Sequence, residues 1–171
     1  MRVLLQDITK LKDVEVIVNA ANGIGPMGKG VAGAIGQAGG ITLRNDVRRT
    51  CEKQFGGYNP GDCYISKAGD LEAQGIRHVY HAVTMKYPGS PTSNAIIKDA
   101  MQATLETAIR NGIKSIAFPG LGTGVGELSK EKVAVDMVDL AMLFDDSIDI
   151  TIADINKEFI TCVKRRMQTE T

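Results

Sequence analysis

Hydrophobic and polar positions along the chain form two recurring patterns. Short runs rich in β-branched residues alternate with longer stretches in which apolar residues recur every three or four positions. The short runs are nearly all apolar, which is typical of strands that are covered on both faces of a sheet. They predict strands at residues 2–5, 15–18, 63–67, 78–83, 115–118 and 149–153.

The clearest helical stripe lies over residues 94–110, where one face carries Ile97, Met101, Leu105 and Ala108. Ser93 stands at the N-cap position of this stretch, and Gly112 stands where a helix commonly ends. A second helix is predicted to begin after Ser129. Shorter helices are predicted at residues 31–38, 43–54 and 157–167.

Strands that alternate with helices predict an α/β fold, with helices on both faces of a largely parallel sheet. The connections are short and no repeat or low-complexity tract interrupts them, so residues 1–171 are expected to form one domain. In such a sheet, ligands bind beyond the carboxyl ends of the strands, in the crevice that the connecting loops open. A functional site is therefore expected in the loops that follow the strands.

Composition narrows the classes of partner. The chain carries 20 Lys or Arg and 20 Asp or Glu, and this neutral balance argues against a nucleic-acid partner. The N-terminal segment lacks the apolar stretch of a signal peptide, and no stretch reaches the roughly 20 apolar residues of a membrane span. The three cysteines lack the close pairing of a zinc site. We expect a cytoplasmic protein without a membrane partner, metal or cofactor.

A glycine-dense stretch follows the second predicted strand. Eight of the 19 glycines lie between Gly23 and Gly40. Residues 28–33 match G-x-G-x-x-G but do not follow the strand directly, as the turn of a dinucleotide fold does. Residues 23–29 match G-x-x-x-x-G-K, but Gly30 then replaces the Ser or Thr that holds Mg²⁺ in a P-loop. A Rossmann oxidoreductase and a P-loop NTPase are both disfavoured.

The physics that those motifs share still applies to this stretch. Glycines let backbone N–H groups approach an anion, and a helix that begins near Val31 adds the positive end of its dipole. The alternative is a mobile surface loop. A second loop, FPGLGTGVGELS, follows the strand at residues 115–118 and has glycine at positions 120, 122, 124 and 126. Two such loops at one sheet edge suit a diphosphate, and neither contains the carboxylate cluster of a metal site.

Together these motifs resemble the macro domain family. The matching segments, in order along the chain, are residues 7–9 (DIT), 18–22 (VNAAN), 30–35 (GVAGAI) and 118–126 (FPGLGTGVG). The resemblance implies a three-layer α/β/α sandwich around a mixed, largely parallel six-stranded sheet. It also implies a cleft across the sheet edge that binds ADP-ribose, either free or as a protein or metabolite adduct.

The resemblance implies a role for each motif, residue by residue. Asp7 accepts a hydrogen bond from the adenine amino group, and the Ile8 backbone helps to seat that ring. Asn22 contacts the distal ribose, with Ala20 and Ala21 along the cleft floor. The first glycine loop lines the distal ribose and one phosphate through Gly30, Val31, Ala32 and Gly33. The second wraps the diphosphate from the other side through Gly122, Thr123, Gly124, Val125 and Gly126. Asp154 or Ile155, after the last strand, borders the adenosine end.

Three polar residues of the motifs, Asp7, Asn19 and Lys29, also have interpretations that need no ligand. Asp7 stands in an Asp-x-Thr sequence, which is common in turns, where the carboxylate caps the backbone. Asn19 is expected to be a buried amide that ties loop backbones together. Lys29 either steers an anionic ligand or keeps an exposed loop soluble. For Asn22, whose amide offers both a donor and an acceptor to ribose hydroxyls, ligand contact is preferred.

The sequence leaves binding and catalysis open. One hydrolytic subgroup of macro domains has an acidic residue where this chain has Ala32, which weakens the case for that chemistry. Other members with the Gly-Val-Ala-Gly pattern are hydrolases in which the asparagine positions a water or the substrate's own phosphate, so Asn22 is the candidate catalytic residue. Binding of ADP-ribose is the leading prediction. The alternative is metal-independent hydrolysis of carboxylate-linked ADP-ribose, O-acetyl-ADP-ribose or ADP-ribose 1″-phosphate.

Overall fold

The computed structural model describes residues 1–124 and 126–169. Within these ranges strands alternate with α-helices along the chain. In order, the elements are β1 (Arg2–Leu5), β2 (Val16–Asn22), α1 (Gly30–Lys53), β3 (Cys63–Lys67), β4 (His78–Met85), α2 (Asn94–Arg110), β5 (Ser115–Phe118), α3 (Lys130–Phe144), β6 (Asp149–Asp154) and α4 (Lys157–Thr169). Short 3-10 turns occupy Ile8–Lys10 and Gly69–Gln74. None of the helices in the described ranges is long and apolar enough to cross a bilayer.

The six strands form one sheet in the order β1-β6-β5-β2-β4-β3. All neighbouring pairs are parallel except β3 and β4, which are antiparallel. Helix α1 packs on one face of the sheet, where Ile35, Leu43 and Val47 are fully buried. Helices α2, α3 and α4 cover the other face. The prediction of three layers around a mixed, largely parallel sheet is confirmed.

The predicted bounds of the elements differ from the structure in two informative places. Strand β2 extends to Asn22 rather than ending at residue 18, because Asn19, Ala20 and Ala21 continue the parallel ladder with β4. The helices predicted at residues 31–38 and 43–54 form one element, α1, with a break inside it at Gly40. Gly40 has φ of 75°, which a residue with a side chain rarely adopts.

Three hydrogen-bonded polar side chains run from the central strand β2 to the edge strand β3. Asn19 on β2 is 1% exposed, as expected, but its amide contacts a side chain rather than loop backbones. Its Nδ2 lies 3.1 Å from Nδ1 of His81 on β4. Because an amide nitrogen only donates, Nδ1 accepts, and the ring proton lies on Nε2. Nε2 then donates to Ser66 Oγ on β3 at 2.8 Å. These bonds join three strands and keep the imidazole neutral.

His81 makes the stability of the fold depend on pH. The histidine is fully buried, and this desolvation lowers its pKa to about 3. The value in the unfolded chain is about 6.5, so the unfolded chain binds the proton first as the pH falls. Above pH 6.5 the protonation of His81 therefore takes nothing from the free energy of unfolding. As the pH falls from 6.5 toward 3, it lowers that free energy by up to about 1.4 kcal/mol per pH unit.

A His81→Gln variant tests this dependence. We expect it to be less stable than the wild type at pH 7, because the buried bonds to Asn19 and Ser66 are disturbed. We also expect it to lose less stability than the wild type between pH 7 and pH 4.5, because glutamine does not titrate. Urea unfolding of both proteins at the two pH values measures the difference. Equal losses in the two proteins would show that His81 does not control the acid sensitivity.

Candidate functional site

A cavity of about 380 Å³ lies at the edge of the sheet where the parallel strands end. Its walls come from the carboxyl ends of β1, β6, β5, β2 and β4 and from the start of α1. The lining residues are Asp7, Ile8, Ala20, Lys29, Gly30, Val31, Ala32, Ala34, Thr84, Met85, Pro119, Gly120, Gly122, Thr123, Gly124, Gly126, Ala153, Asp154, Ile155 and Asn156. This is the edge at which an α/β sheet is expected to bind its ligand.

The strand order gives the cavity a direction. Strands β1 and β6 lie at one end, β5 and β2 at the centre, and β4 at the other end. Neighbouring strands lie about 4.8 Å apart, so the distance from β1 to β4 is roughly 19 Å. The cavity therefore fits an elongated molecule whose parts meet different strands.

The β1 end presents a carboxylate that is only partly used by the fold. Asp7 Oδ1 accepts hydrogen bonds from the backbone N–H of Thr9 at 2.9 Å and from its hydroxyl at 2.7 Å. The turn-capping interpretation of Asp7 is thus correct for this oxygen. Oδ2 makes no hydrogen bond within the described part of the chain. Since Asp7 also lines the cavity, a second acceptor remains for a ligand.

Asp154, at the end of β6, has both carboxylate oxygens engaged. Oδ2 accepts from the N–H of Gly120 at 2.9 Å, and Oδ1 accepts from the N–H of Asn156 at 2.8 Å. These bonds join the end of β6 to the loop after β5 and to the segment before α4. Asp154 lines the cavity as predicted, and its carboxylate serves the wall rather than an open acceptor position. The neighbouring Ile155 is 77% exposed and adds an apolar surface.

Helix α1 follows β2, one of the two central strands, and its N-terminus lines the cavity. The first bond of this helix runs from the N–H of Gly33 to the carbonyl of Lys29. The N–H groups of Gly30, Val31 and Ala32 therefore have no partner in the helix. Side chains of Ser93 and Ser129 cap α2 and α3, but Lys29 provides no such cap to α1. Because residues 29–32 line the cavity, they bring to it a positive helix dipole and N–H donors that have no partner within the described residues.

The loop after β5 forms the opposite wall of the centre. Gly122 has φ of 75°, which residues with a side chain rarely adopt, and a Cβ there would also lie 2.8 Å from Ile97 Cδ1 and 2.9 Å from Leu128 Cδ1. Gly124 differs, because a Cβ there would meet no described atom within 4 Å and its backbone is not left-handed. Gly124 lines the cavity. Packing therefore does not require glycine at this position, and a side chain here would occupy part of the cavity.

The β4 end is formed by uncharged groups. Thr84 and Met85 line it, next to Ala20 of the neighbouring strand β2, and Thr84 Oγ1 donates to the carbonyl of Ala21 at 3.2 Å. Among the lining residues that the structure describes, the titratable ones are Asp7, Lys29 and Asp154. The carboxylates thus lie at the β1 and β6 end, and the lysine lies at the centre beside the free N–H groups.

Asn22 lies beside the cavity and shapes the loop that leads into α1. Its Oδ1 accepts from the N–H of Ile24 at 3.1 Å and from that of Gly25 at 2.7 Å. Its Nδ2 donates to the carbonyl of Pro26 at 2.8 Å. The side chain does not line the cavity, so its predicted contact with the distal ribose stays a prediction. In the structure it sets the path of residues 22–26.

The cavity brings together most of the residues that the sequence predicted. The exceptions among the predicted residues are Ala21, Asn22 and Gly33, which do not line the cavity, and Val125, which lies outside the described residues. Ala21 is 3% exposed and faces the core under α1, because successive residues of a strand point to opposite faces. Gly33 packs on the preceding loop, where a Cβ would lie 3.2 Å from Gly28.

Several lining residues were not predicted as parts of the site. They are Ala34, Thr84, Met85, Pro119, Gly120, Ala153 and Asn156, together with Lys29 and Ile155, whose roles were left open. Thr84 and Met85 directly follow the strand predicted at residues 78–83. The rule that ligands bind at carboxyl ends of strands would have found these two.

Comparisons with known proteins agree with this geometry. The family model described as "Macro domain" matches residues 18–137. A protein of Aquifex aeolicus is 36% identical over 162 residues, which cover 94% of this chain and 93% of that protein. A Klebsiella pneumoniae protein named O-acetyl-ADP-ribose deacetylase is 39% identical over 132 residues, 77% of this chain and 73% of its own length. A solved mutant of the Oceanobacillus iheyensis macrodomain with ADPR has a TM-score of 0.87 at 23% identity, covering 98% of this chain and 91% of that one.

Proposed function

The chain belongs to the macro domain family, and on that premise we propose that it binds ADP-ribose in the cavity at the carboxyl edge of its sheet. The observation that carries this proposal is the order of chemical groups along the cavity. Unpaired N–H groups and Lys29 lie at the centre, and an available carboxylate oxygen of Asp7 lies at one end. That order suits a ligand with a central diphosphate and a hydrogen-bond donor at one end.

Each part of ADP-ribose then has a partner. The diphosphate lies between the first turn of α1 and the loop that contains Gly122 and Gly124, where backbone N–H groups and the helix dipole stabilise its charge. The adenine amino group donates to Asp7, and the ring packs near Ile8 and Ile155. The distal ribose extends toward the β4 end. A metal-free site is consistent with this arrangement, because the N–H groups and the lysine neutralise the phosphates.

Calorimetric titration tests the proposal. We expect ADP-ribose to bind with micromolar affinity or better, and ADP to compete with it more weakly because ADP lacks the distal ribose. The relation between the two ligands matters as much as the absolute value. If ADP-ribose produced no binding at high micromolar concentration, the proposed function would be wrong. If ADP bound as tightly as ADP-ribose, the assignment of the β4 end to the distal ribose would be wrong.

Hydrolysis of an ADP-ribose ester is a second candidate function. It is supported by the Klebsiella pneumoniae relative, whose name is O-acetyl-ADP-ribose deacetylase. Within the described lining, the β4 end contains no titratable side chain, so a phosphate oxygen of the ligand would have to act as the base. A water then attacks the acetyl carbon and gives its proton to that oxygen. As the bond between the acetyl carbon and the ribose oxygen breaks, the phosphate returns that proton to the ribose oxygen. The products are ADP-ribose and acetic acid, which ionises to acetate.

The Asn22→Ala variant tests whether the loop before α1 supports this reaction. The change removes three hydrogen bonds that fix residues 22–26, so the first turn of α1 loses its alignment with the phosphate. We expect kcat on O-acetyl-ADP-ribose to decrease by roughly 10- to 100-fold, since small errors in position are costly for catalysis. Asn45→Ala, on α1 and outside the cavity, is the matched control. Unchanged turnover in Asn22→Ala would exclude this role.

A further inference from the structure

Three exposed hydrophobic side chains lie on neighbouring loops next to the β4 end of the cavity. They are Ile24, which is 38% exposed, Phe55, which is fully exposed, and Tyr87, which is 55% exposed. We refer to Ile24, Phe55 and Tyr87 as the loop patch. None of the three lines the cavity, so the binding of ADP-ribose does not account for them. Exposed apolar side chains on adjoining loops are typical of protein-binding surfaces.

Hydrogen bonds hold the three loops of the patch together. The N–H of Gly23 donates to the carbonyl of Lys86 at 2.9 Å, and the N–H of Tyr58 donates to the carbonyl of Gly23 at 2.8 Å. Lys86 Nζ donates to the carbonyl of Gly56 and, at 3.1 Å, to that of Tyr58. A Cβ on Gly57 would lie 3.3 Å from Ile24 Cγ2, so these segments are in close contact. The patch is therefore organised before any partner binds, which lowers the entropic cost of docking.

The patch continues directly from the end of the cavity. Met85 lines the cavity, and Lys86 and Tyr87 follow it in the chain. On the other side, Asn22 forms the turn that contains Ile24. The distal ribose is assigned to this end, so any group attached to that ribose leaves the cavity beside the patch.

The surroundings of the patch are basic, although the whole chain is neutral. Residues 22–62 and 84–90 contain six basic residues, Lys29, Arg44, Arg48, Arg49, Lys53 and Lys86, and three acidic ones, Asp46, Glu52 and Asp62. The Asp62 carboxylate accepts from the N–H of Asn59 at 2.8 Å. Asp46 is already engaged, because its Oδ2 accepts from the N–H of Lys67 at 2.8 Å. The Arg48 side chain is 65% exposed, and its ion pair with Glu52 is long, at 3.9 Å. The segment therefore offers apolar anchors within a positive field, which favours an acidic partner.

We propose that the loop patch docks the polypeptide to which the ADP-ribose is attached, and that this polypeptide is an acidic segment. This inference rests on the proposed function, since it places the cavity and the patch on two parts of one modified protein. The nucleotide part then supplies the common contact, and the patch selects among modified proteins by their sequence. Joining the two contacts in one ligand raises the affinity above that of either part.

The test compares three ligands by calorimetry. They are free ADP-ribose, a short peptide rich in Glu and Asp that carries ADP-ribose through a linkage resistant to hydrolysis, and the same modified peptide with Lys in place of the acidic residues. We expect the acidic conjugate to bind at least about tenfold more tightly than ADP-ribose. The lysine conjugate is expected to bind no more tightly than free ADP-ribose.

Two variants assign the gain to the patch. Phe55→Ser removes a side chain that is fully exposed, and Arg48→Glu reverses an exposed charge, so neither change disturbs buried packing. Both variants are expected to bind free ADP-ribose like the wild type and to lose the additional affinity for the acidic conjugate. Leu143→Ser is the matched control, because Leu143 is 79% exposed on α3, in the opposite layer. This control is expected to retain the full gain.

The outcomes separate this inference from the proposed function. Binding of ADP-ribose without any gain from the acidic peptide would overturn the inference alone, and so would a gain that survives in both variants. An equal gain from the lysine conjugate would overturn the choice of an acidic partner. A dimer in sedimentation analysis that dissociates in Phe55→Ser would show that a second copy of the chain covers the patch. Absence of ADP-ribose binding would overturn the proposed function and this inference with it.

Discussion

Replacement of Gly124 by aspartate is expected to weaken ADP-ribose binding by at least about 100-fold while the Tm stays within a degree or two of the wild type. The carboxylate would enter the space in which we place the diphosphate. Two unit charges roughly 4 Å apart repel by about 4 kcal/mol at an effective dielectric constant of 20, and 100-fold in affinity needs only about 2.7 kcal/mol of this. The fold tolerates the change, because a Cβ at Gly124 would meet no described atom within 4 Å.

Gly124→Asn is the control for size. It has nearly the same shape as the aspartate variant without its charge, so it is expected to lose much less affinity. Calorimetry with ADP-ribose and thermal unfolding of both variants give the two readouts. If the two variants lost equal affinity, the loop would bind by shape rather than by charge. If both kept wild-type affinity, the diphosphate would not lie against this loop.

The second large effect is expected in base specificity. In Asp7→Asn the amide oxygen can replace Oδ1 as the acceptor for Thr9, but the amide NH₂ then stands in place of Oδ2. The amide NH₂ then faces the adenine amino group, and because both groups are donors they cannot form a hydrogen bond. We expect the affinity for ADP-ribose to fall by about 10- to 100-fold, as for the loss of a hydrogen bond to a charged group. The variant should accept the hypoxanthine analogue, whose oxygen at the same position is an acceptor.

The measurement is a comparison of ADP-ribose with its hypoxanthine analogue on both proteins. The wild type is expected to prefer adenine, and Asp7→Asn is expected to lose or reverse that preference. Asp13→Asn is the matched control, because it removes the same charge from an exposed carboxylate that pairs with Arg2 outside the cavity. A loss of affinity for both bases alike would indicate that Asp7 supports the turn and does not read the base.

The sequence predicted the fold well where the signals are local. The strands at residues 2–5, 63–67 and 115–118 and the helix at 94–110 have the predicted bounds, since each is a short apolar run or a capped amphipathic stripe. The sequence-based prediction was wrong where contacts between distant parts of the chain determine the extent of a strand. Asn19 and Ala20 were expected to lie outside β2, but pairing with β4 keeps them in the strand. The antiparallel orientation of β3 and the contact between Asn19 and His81 have no local signal at all.

The site shows the same division. The position of Asp7 and of the two glycine loops could be predicted, because turn chemistry and glycine density are properties of short segments. The state of Asp154 could not, because its carboxylate binds the N–H of Gly120, far away in the chain. Asn22 was assigned to the ligand, and only the structure revealed the three hydrogen bonds within its own loop. Exposed Phe55 gave no sequence signal, since its significance depends on the loops that surround it.

A crystal structure of the protein with ADP-ribose tests the central claim most directly. We expect the diphosphate between the first turn of α1 and the loop that contains Gly124, the adenine amino group within hydrogen-bond distance of Asp7 Oδ2, and the distal ribose next to Thr84 and Met85. The diphosphate in solvent, the ligand in the reverse orientation, or an empty cavity at saturating concentration would contradict that claim.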